Sequence, residues 1–492
     1  MNLATRNLTH RRGFSSQKPK ETKAADKDDV PPTSNKRSLT FAIGGVLTLL
    51  GVASYTFSLR QSEPSTAVSA PSVTLPPQAT ETLQSVERKR EAARQELDKL
   101  TRAERREAAR KLGLLTEEEV DAILHAQEKS WCAGGKGQRV RVDTNQVASN
   151  SPIEDYLAWS ELGPDRLMFG VFDGHAGYMC AEQLAQRLAP MLNRSMALAA
   201  AESDDQDVSA LASTVRQLQK EAGRGWDHTA LALTATFINM DRELVQDALA
   251  EFRRSQDLAR IDALLGPAVS GSCGLVAVVD SNEVVVANTG DSRALLGVRL
   301  ADGRWRAVRL SEDQTADNAQ ERARLSREHP GEVVLQKSRV LGGLMPTRAF
   351  GDSRYKWALE TQQDLFPVLH ARGHRYATTP PGLTTPPYVT ARPVIVRHKL
   401  AETDRFIVIA SDGLYDQLSD AEVVETVAQW YEGKSAPDDN AATHLIRTAL
   451  STDRLGRRGD HVIRRLLAIP PPHSRRFRDD ISVTVVSLNR DE

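Results

Sequence analysis

The stretch Arg166–Gly177, RLMFGVFDGHAG, runs through apolar side chains and stops on an acid. Asp173 follows Phe172, and Gly174, His175 and Gly177 come after it. A carboxylate at the end of a buried strand needs a partner, because a charge buried alone is costly. The pattern recurs. VVVANTGDSR ends on Asp291, and RFIVIASDGLYD brings Asp412 after an apolar run, with Asp416 four residues on. In RDDISVTVV the order is reversed, and Asp479 and Asp480 precede the run. SPIEDYLAW sets Glu154 and Asp155 before a further apolar stretch. Acids at the ends of several strands can converge at one edge of the sheets, where they repel unless a cation sits among them. Hard oxygen ligands in that number suit Mg²⁺ or Mn²⁺, which keep several waters. Zinc would want His and Cys at short spacings, and Cys132, Cys180 and Cys273 are scattered. Asp173 therefore reads as a metal ligand, with Gly174 letting the backbone come close and offering its carbonyl. His175 would stand where a general acid or base belongs. Each feature alone has an ordinary reading, a turn for Asp-Gly and a surface residue for a lone loop His. Their recurrence favours chemistry.

Short runs rich in Val, Ile, Leu and Phe predict strands at 167–172, 274–280, 283–288, 293–299, 405–410 and 481–487. Helical patterns cover 178–199, 207–222, 228–254, 314–328, 419–431 and 441–450. The DSNE link between 274–280 and 283–288 reads as a hairpin, so part of the sheet is antiparallel. Helices come in blocks between groups of strands. The expected class is α+β, a layered sandwich rather than a doubly wound parallel sheet.

The N-terminal part has a different character. Residues 1–20 contain Arg6, Arg11 and Arg12 and no acid, which is the composition of a mitochondrial targeting segment, taken here as 1–37. A disordered basic tail is the plainer alternative. Residues 38–59 carry no charge and are long enough for one transmembrane helix. A span retained in the inner membrane would leave the rest of the chain facing the intermembrane space, and a cleaved or translocated one would leave it in the matrix. Residues 60–80, rich in Ser, Thr and Pro, read as a linker, and 81–112 as a charged, solvated helix leading to a domain at 113–492. Thr116 and Glu119 form an expected capping box.

VFDGHAG, ANTGDSRALLG, TRAFGD, IVIASDGLYD and RDDISVTVV, in this order, resemble the metal-dependent Ser/Thr protein phosphatases of type 2C, over about residues 115–490. The resemblance implies a four-layer α-β-β-α sandwich around a central antiparallel β-sandwich, with two Mg²⁺ or Mn²⁺ ions at one end. Asp173 then corresponds to the carboxylate bridging both metals, and Gly174 to a carbonyl ligand. Glu154 and Asp155 correspond to the acids of one metal, Asp412 and Asp479 to those of the other, and Asp291 and Asp416 to a weaker third site. His175 matches the proposed general acid. The implied reaction is direct attack of a metal-bridged water on phosphoserine or phosphothreonine. Many relatives hold the phosphate with an Arg where this chain has Asn150, so Arg348 of TRAFGD or a basic loop is expected to share that contact. LTEEEVDAILHAQE, SNSPIEDY, YKWALE, TPPYVTARP and ATHLIRTAL resemble the mitochondrial pyruvate dehydrogenase phosphatase catalytic subunits and their fungal-type relatives. A phosphoserine of the pyruvate dehydrogenase alpha subunit is the substrate this implies.

Lys plus Arg number 64 against 65 Asp plus Glu, so overall charge points to no nucleic-acid partner. Residues 453–478 hold eight Arg against two Asp and read either as a basic rim for acidic phosphoprotein or as a solvated loop with a short helix. Residues 353–390 read as a long Pro-rich loop, and Trp357, Trp430 and Tyr431 as packing residues. DTNQ at 143–146 has no evident physical reading. The rivals to an active enzyme are a pseudophosphatase scaffold, disfavoured by the full set of acids, and a membrane-anchored adaptor acting through 81–112.

Overall fold

In the computed structural model, residues 76–488 are described, apart from 135–138, 164, 202–207, 223–226, 434–437 and 453–457. The expected targeting segment 1–37, the span 38–59 and most of the linker 60–80 lie outside the described residues. Among those described, no helix is long and apolar enough to cross a membrane.

Two antiparallel sheets carry the fold. The strands are β1 (Lys129–Ala133), β2 (Val140–Val147), β3 (Tyr156–Glu161), β4 (Leu167–Phe172), β5 (Gly174–His175), β6 (Gly271–Ser272), β7 (Gly274–Val279) and β8 (Glu283–Thr289). They continue as β9 (Arg293–Arg299), β10 (Trp305–Arg309), β11 (Leu335–Gln336), β12 (Arg339–Val340), β13 (Phe350–Gly351), β14 (Val394–Lys399), β15 (Asp404–Ala410) and β16 (Ile481–Ser487). One sheet runs β1-β2-β16-β15-β9-β10 and the other β14-β8-β7-β4-β3, and the short β13, β6 and β5 pair beside the second.

Side-chain alternation builds the layers. From β4, Leu167, Phe169 and Val171 enter the core between the sheets, together with Ile407 and Ile409 of β15. Met168 and Phe172 face the opposite way, onto a helical layer. That layer contains α4 (Met179–Ala200), α5 (Ala210–Ala222), α6 (His228–Arg242), α7 (Ala248–Ser255) and α8 (Ile261–Val269). Phe406, Val408 and Ala410 of β15, and Ile481, Val483 and Val485 of β16, face the other helical layer. There lie α12 (Asp420–Tyr431), α13 (Ala441–Leu450) and α14 (Asp460–Ala468). The α-β-β-α order matches the expectation. The helix expected over 228–254 is interrupted by a π-helical turn at Glu243–Asp247, and α9 (Ala319–Glu328) starts only after its cap, Asn318.

Three expectations need correcting. The segment 81–112 is two helices, α1 (Pro77–Asp98) and α2 (Arg102–Arg110), so helix also replaces the last residues of the linker. It is not wholly solvated: Val86 and Leu97 are buried, and α1 packs on α3 (Glu117–Leu124). The two apolar residues are eleven apart, three turns of one stripe, which the surrounding charges mask in the sequence. Thr116 and Glu119 cap α3 reciprocally, as expected. The third correction concerns 353–390, which contains a 3-10 turn at Ser353–Tyr355 and α10 (Leu359–Ala371). Trp357, Tyr355 and Tyr388 are among the largest fully buried side chains, so this segment is core as much as loop.

Candidate metal centre and active site

Five segments deliver their acids to one end of the sandwich. Asp173 follows β4, Asp291 lies between β8 and β9, and Asp412 opens α11 (Asp412–Tyr415) just beyond β15. Asp479 and Asp480 precede β16, and Glu154 and Asp155 precede β3. One carboxylate oxygen from each of Asp173, Asp291 and Asp412 lies within 4.8 Å of the others. Asp155 and Asp479 raise both Asp173 and Asp412 through their charge, and Asp416 acts on Asp412 and Asp479.

Two glycines make this approach possible. A Cβ on Gly174 would stand 2.1 Å from the carbonyl oxygen of Glu154. One on Gly413 would stand 2.0 Å from that of Asp480 and 3.2 Å from Cβ of Asp479. Neither residue has a positive φ, so what each supplies is space. In both Asp-Gly steps the glycine admits the backbone of another acid-bearing segment.

His175 faces the same cluster. Its Nε2 lies 2.7 Å from Oδ2 of Asp352, a buried residue with a left-handed φ of 52°. Burial opposes the imidazolium, but Asp352, with Asp291 and Glu154, outweighs it and raises His175 above its ordinary value. A Cβ on Gly271 would stand 2.2 Å from His175 Nε2 and 2.5 Å from Asp352 Oδ2, so the pair occupies the space a side chain would take. Asp241 braces the turn before Asp352. It accepts from Gly351 N at 2.9 Å and pairs with Lys356 at 2.7 Å, and Lys356 also donates to the Ala349 carbonyl at 2.8 Å.

Residues 149–454 match the family model described as Protein phosphatase 2C. The chain belongs to the protein phosphatase 2C family. It is 37% identical to a protein phosphatase 2C homolog of Schizosaccharomyces pombe, covering 70% of this chain and 80% of that protein. It is 32% identical to the human mitochondrial pyruvate dehydrogenase [acetyl-transferring] phosphatase 2, covering 76% and 84%. With the mitochondrial pyruvate dehydrogenase [acetyl-transferring] phosphatase 1 of Saccharomyces cerevisiae the identity is 33%, covering 76% and 73%. The protein is thus a type 2C serine/threonine phosphatase. Asp479 and Asp480 fall beyond the matched stretch, and the fold itself joins them to the cluster.

The acids of this phosphatase fit a divalent cation. Asp155 is 3% exposed, and its Oδ2 has no hydrogen-bond partner. Burial, reinforced by neighbouring acids, pushes Asp155, Asp173 and Asp412 well above the ordinary carboxylate range. Burial also raises Asp479 to about 6, against the pull of Arg475. Asp291 and Glu154 are raised by burial first, with His175 partly offsetting it. Such a set favours either protons or a metal. A carboxyl with a raised folded-state pKa binds protons more readily folded than unfolded. Stability of the metal-free phosphatase should therefore fall as pH rises from the ordinary value of 3.8 through about 6 and beyond. Saturating Mn²⁺ at pH 7.5 should reverse the loss, by about 2.7 kcal/mol at a hundred times its dissociation constant. Thermal melts with and without chelator check both slopes, and a metal-free protein that becomes more stable as pH rises would contradict the cluster.

Of the expected phosphate contacts, the two named residues, Asn150 and Arg348, are bonded to other groups. Asn150 donates its backbone N–H and its Nδ2 to Asp480, at 3.0 and 2.9 Å. Arg348 forks onto Glu321, with Nη2 at 2.6 Å, and donates to the Arg392 carbonyl at 2.7 Å. Asp480 has a larger role than its sequence suggested. It is buried and also accepts from Ser149 N and Glu154 N, so it shapes the whole loop leading to Glu154 and Asp155. DTNQ gains a reading as well: Asn145 bridges the Leu124 carbonyl and Thr443, and Gln146 bridges the Asp155 carbonyl and Ser482. Asp352 ends the TRAFGD segment, and nothing local in the sequence marks it as the partner of His175. Cys180 and Cys273 are buried, and burial pushes both thiols well above their ordinary value, away from nucleophilic chemistry.

Proposed function

We propose that the phosphatase hydrolyses phosphoserine and phosphothreonine with Mg²⁺ or Mn²⁺ held by Asp173, the Gly174 carbonyl, Glu154, Asp155, Asp412 and Asp479, with Asp291 and Asp416 as a weaker third site. The observation that carries this is the convergence of Asp173, Asp291 and Asp412 within 4.8 Å, with Oδ2 of the buried Asp155 left without a hydrogen-bond partner. When bound, the metals supply an acidified water oriented for in-line attack and neutralise charge developing on the phosphoryl oxygens. The chain's own residues supply the rest. Asp352 holds Nε2 of His175, which leaves Nδ1 to carry the proton for the departing serine oxygen. Gly174 and Gly413 keep the acids close enough to share cations.

The substrate we propose is phosphorylated pyruvate dehydrogenase, on its alpha subunit, or another mitochondrial phosphoprotein. The human and yeast relatives support this by their names, and the basic, acid-free composition of residues 1–20 supports import. An inner-membrane anchor at 38–59 rests on that segment's lack of charge.

The full chain, stripped of metal, is tested on phosphorylated pyruvate dehydrogenase and on an unrelated phosphoserine peptide. Release of phosphate that needs Mn²⁺ or Mg²⁺ and prefers pyruvate dehydrogenase is expected. Release without preference would remove the substrate assignment, and no release with metal present would remove the activity. His175→Gln separates the acid's role. Serine is a poor leaving group and p-nitrophenolate a good one. The variant should lose about a hundredfold or more on the phosphopeptide and little on p-nitrophenyl phosphate. Equal losses on both would argue against proton donation.

A further inference from the structure

We infer that Arg475 is the residue that grips the substrate's phosphoryl group, a role for which the sequence offers Asn150, Arg348 or an unspecified basic loop. This rests on the phosphatase reading of the acidic centre. Arg475 lies in the segment between α14 and β16, in a short 3-10 turn at His473–Arg476. Its Nη1 pairs with Oδ2 of Asp479 at 2.7 Å. Nε and Nη2 have no partner among the described residues, and half of the side chain is open to solvent. Asp479, Asp412, Asp173 and Asp480 all act on its charge, and Arg475 acts in turn on Glu154. The guanidinium thus stands at the mouth of the cluster with two nitrogens to offer.

The other candidates are occupied. The Asn150 amide is spent on Asp480, and the Arg348 fork is filled by Glu321. Arg478 is buried and braces the carbonyls of Val147, Ala148 and Asp479. A phosphoryl dianion arriving at a ring of acids needs a cation that faces outward, and a planar fork matches its oxygens. The segment is also anchored from behind. Ser474 donates to the Ser149 carbonyl at 2.9 Å, and Arg476 donates to the Arg102 carbonyl at 3.2 Å. The site's guanidinium is therefore presented on a braced turn rather than a free loop.

The test uses the full chain loaded with Mn²⁺ and three measurements on wild type, Arg475→Gln and Arg475→Lys. Binding of inorganic phosphate and of Mn²⁺ is measured by calorimetry, and KM and kcat are measured on a phosphoserine peptide. For Arg475→Gln, phosphate affinity should fall about tenfold or more and KM should rise in step, while Mn²⁺ affinity stays within about twofold. Arg475→Lys should recover part of the phosphate affinity but not all, having charge without the fork. Unchanged phosphate affinity would overturn the proposal, as would a fall in Mn²⁺ affinity that accounts for every other loss, since Arg475 would then merely hold Asp479. An inactive wild type would overturn the phosphatase reading itself, and the proposal with it.

Discussion

Asp173→Asn should abolish metal-dependent phosphate release, by about a thousandfold or more, and make the metal-free protein harder to unfold at pH 7.5. The two effects have one cause. Asp173 is half-buried among Asp412, Asp155, Asp291 and Asp479, and desolvation with their charge pushes its carboxyl well above the ordinary range. Without a cation its charge is repelled from several sides, and an amide of the same shape removes that repulsion. With a cation the same charge is what binds. Phosphate release from a phosphoserine peptide measures the first effect, and melts in chelator measure the second. A variant that stays active would remove Asp173 from the centre. One that is inactive but less stable without metal would mean that Asp173 holds the fold together rather than a metal.

Gly413→Ala is expected to cost about a hundredfold in activity without replacing a single acid. The added methyl would stand 2.0 Å from the Asp480 carbonyl oxygen, so the start of β16 must move by more than 1 Å. Asp479 moves with it, away from Asp412. Overpacking of this kind also destabilises by about 1–3 kcal/mol. Gly113→Ala is the control, because its methyl would meet nothing within 4 Å. Mn²⁺ titration by calorimetry should show weakened binding for the first variant and unchanged binding for the control. Normal metal affinity in Gly413→Ala would show that the segments do not need this contact.

What could be read from the sequence follows from how local each signal was. Leu167–Phe172 and Ile481–Ser487 are continuous apolar runs, and buried strands announce themselves in that way. The acids beside them were legible for the same reason, since an acid abutting such a run is anomalous. Tyr156–Glu161 was not legible, because it is only half-buried and mixes polar with apolar residues. Val140–Val147 hid behind Asp143 and Asn145, whose partners include Ser130, Leu124 and a distant Thr443. Asp352 needed a left-handed backbone and a histidine far away in sequence to acquire meaning. Arg475 was one of eight arginines in a basic run, and only the fold distinguishes it from the others.

The place of β16 has a consequence for how the enzyme is made. The strand lies between β2 and β15, with Ile481 opposite Val147 and Val483 opposite Ala410. A ribosome delivers it long after both neighbours. Until Ile481–Ser487 emerges, the six-stranded sheet has an open seam, and the acidic centre lacks Asp479. A nascent chain that has not yet exposed this segment is expected to lack the proposed centre. A message that stops before codon 479 would lack the strand that joins β2 to β15. It would yield two unpaired strand edges, which chaperones and quality-control proteases recognise and which otherwise pair with other chains.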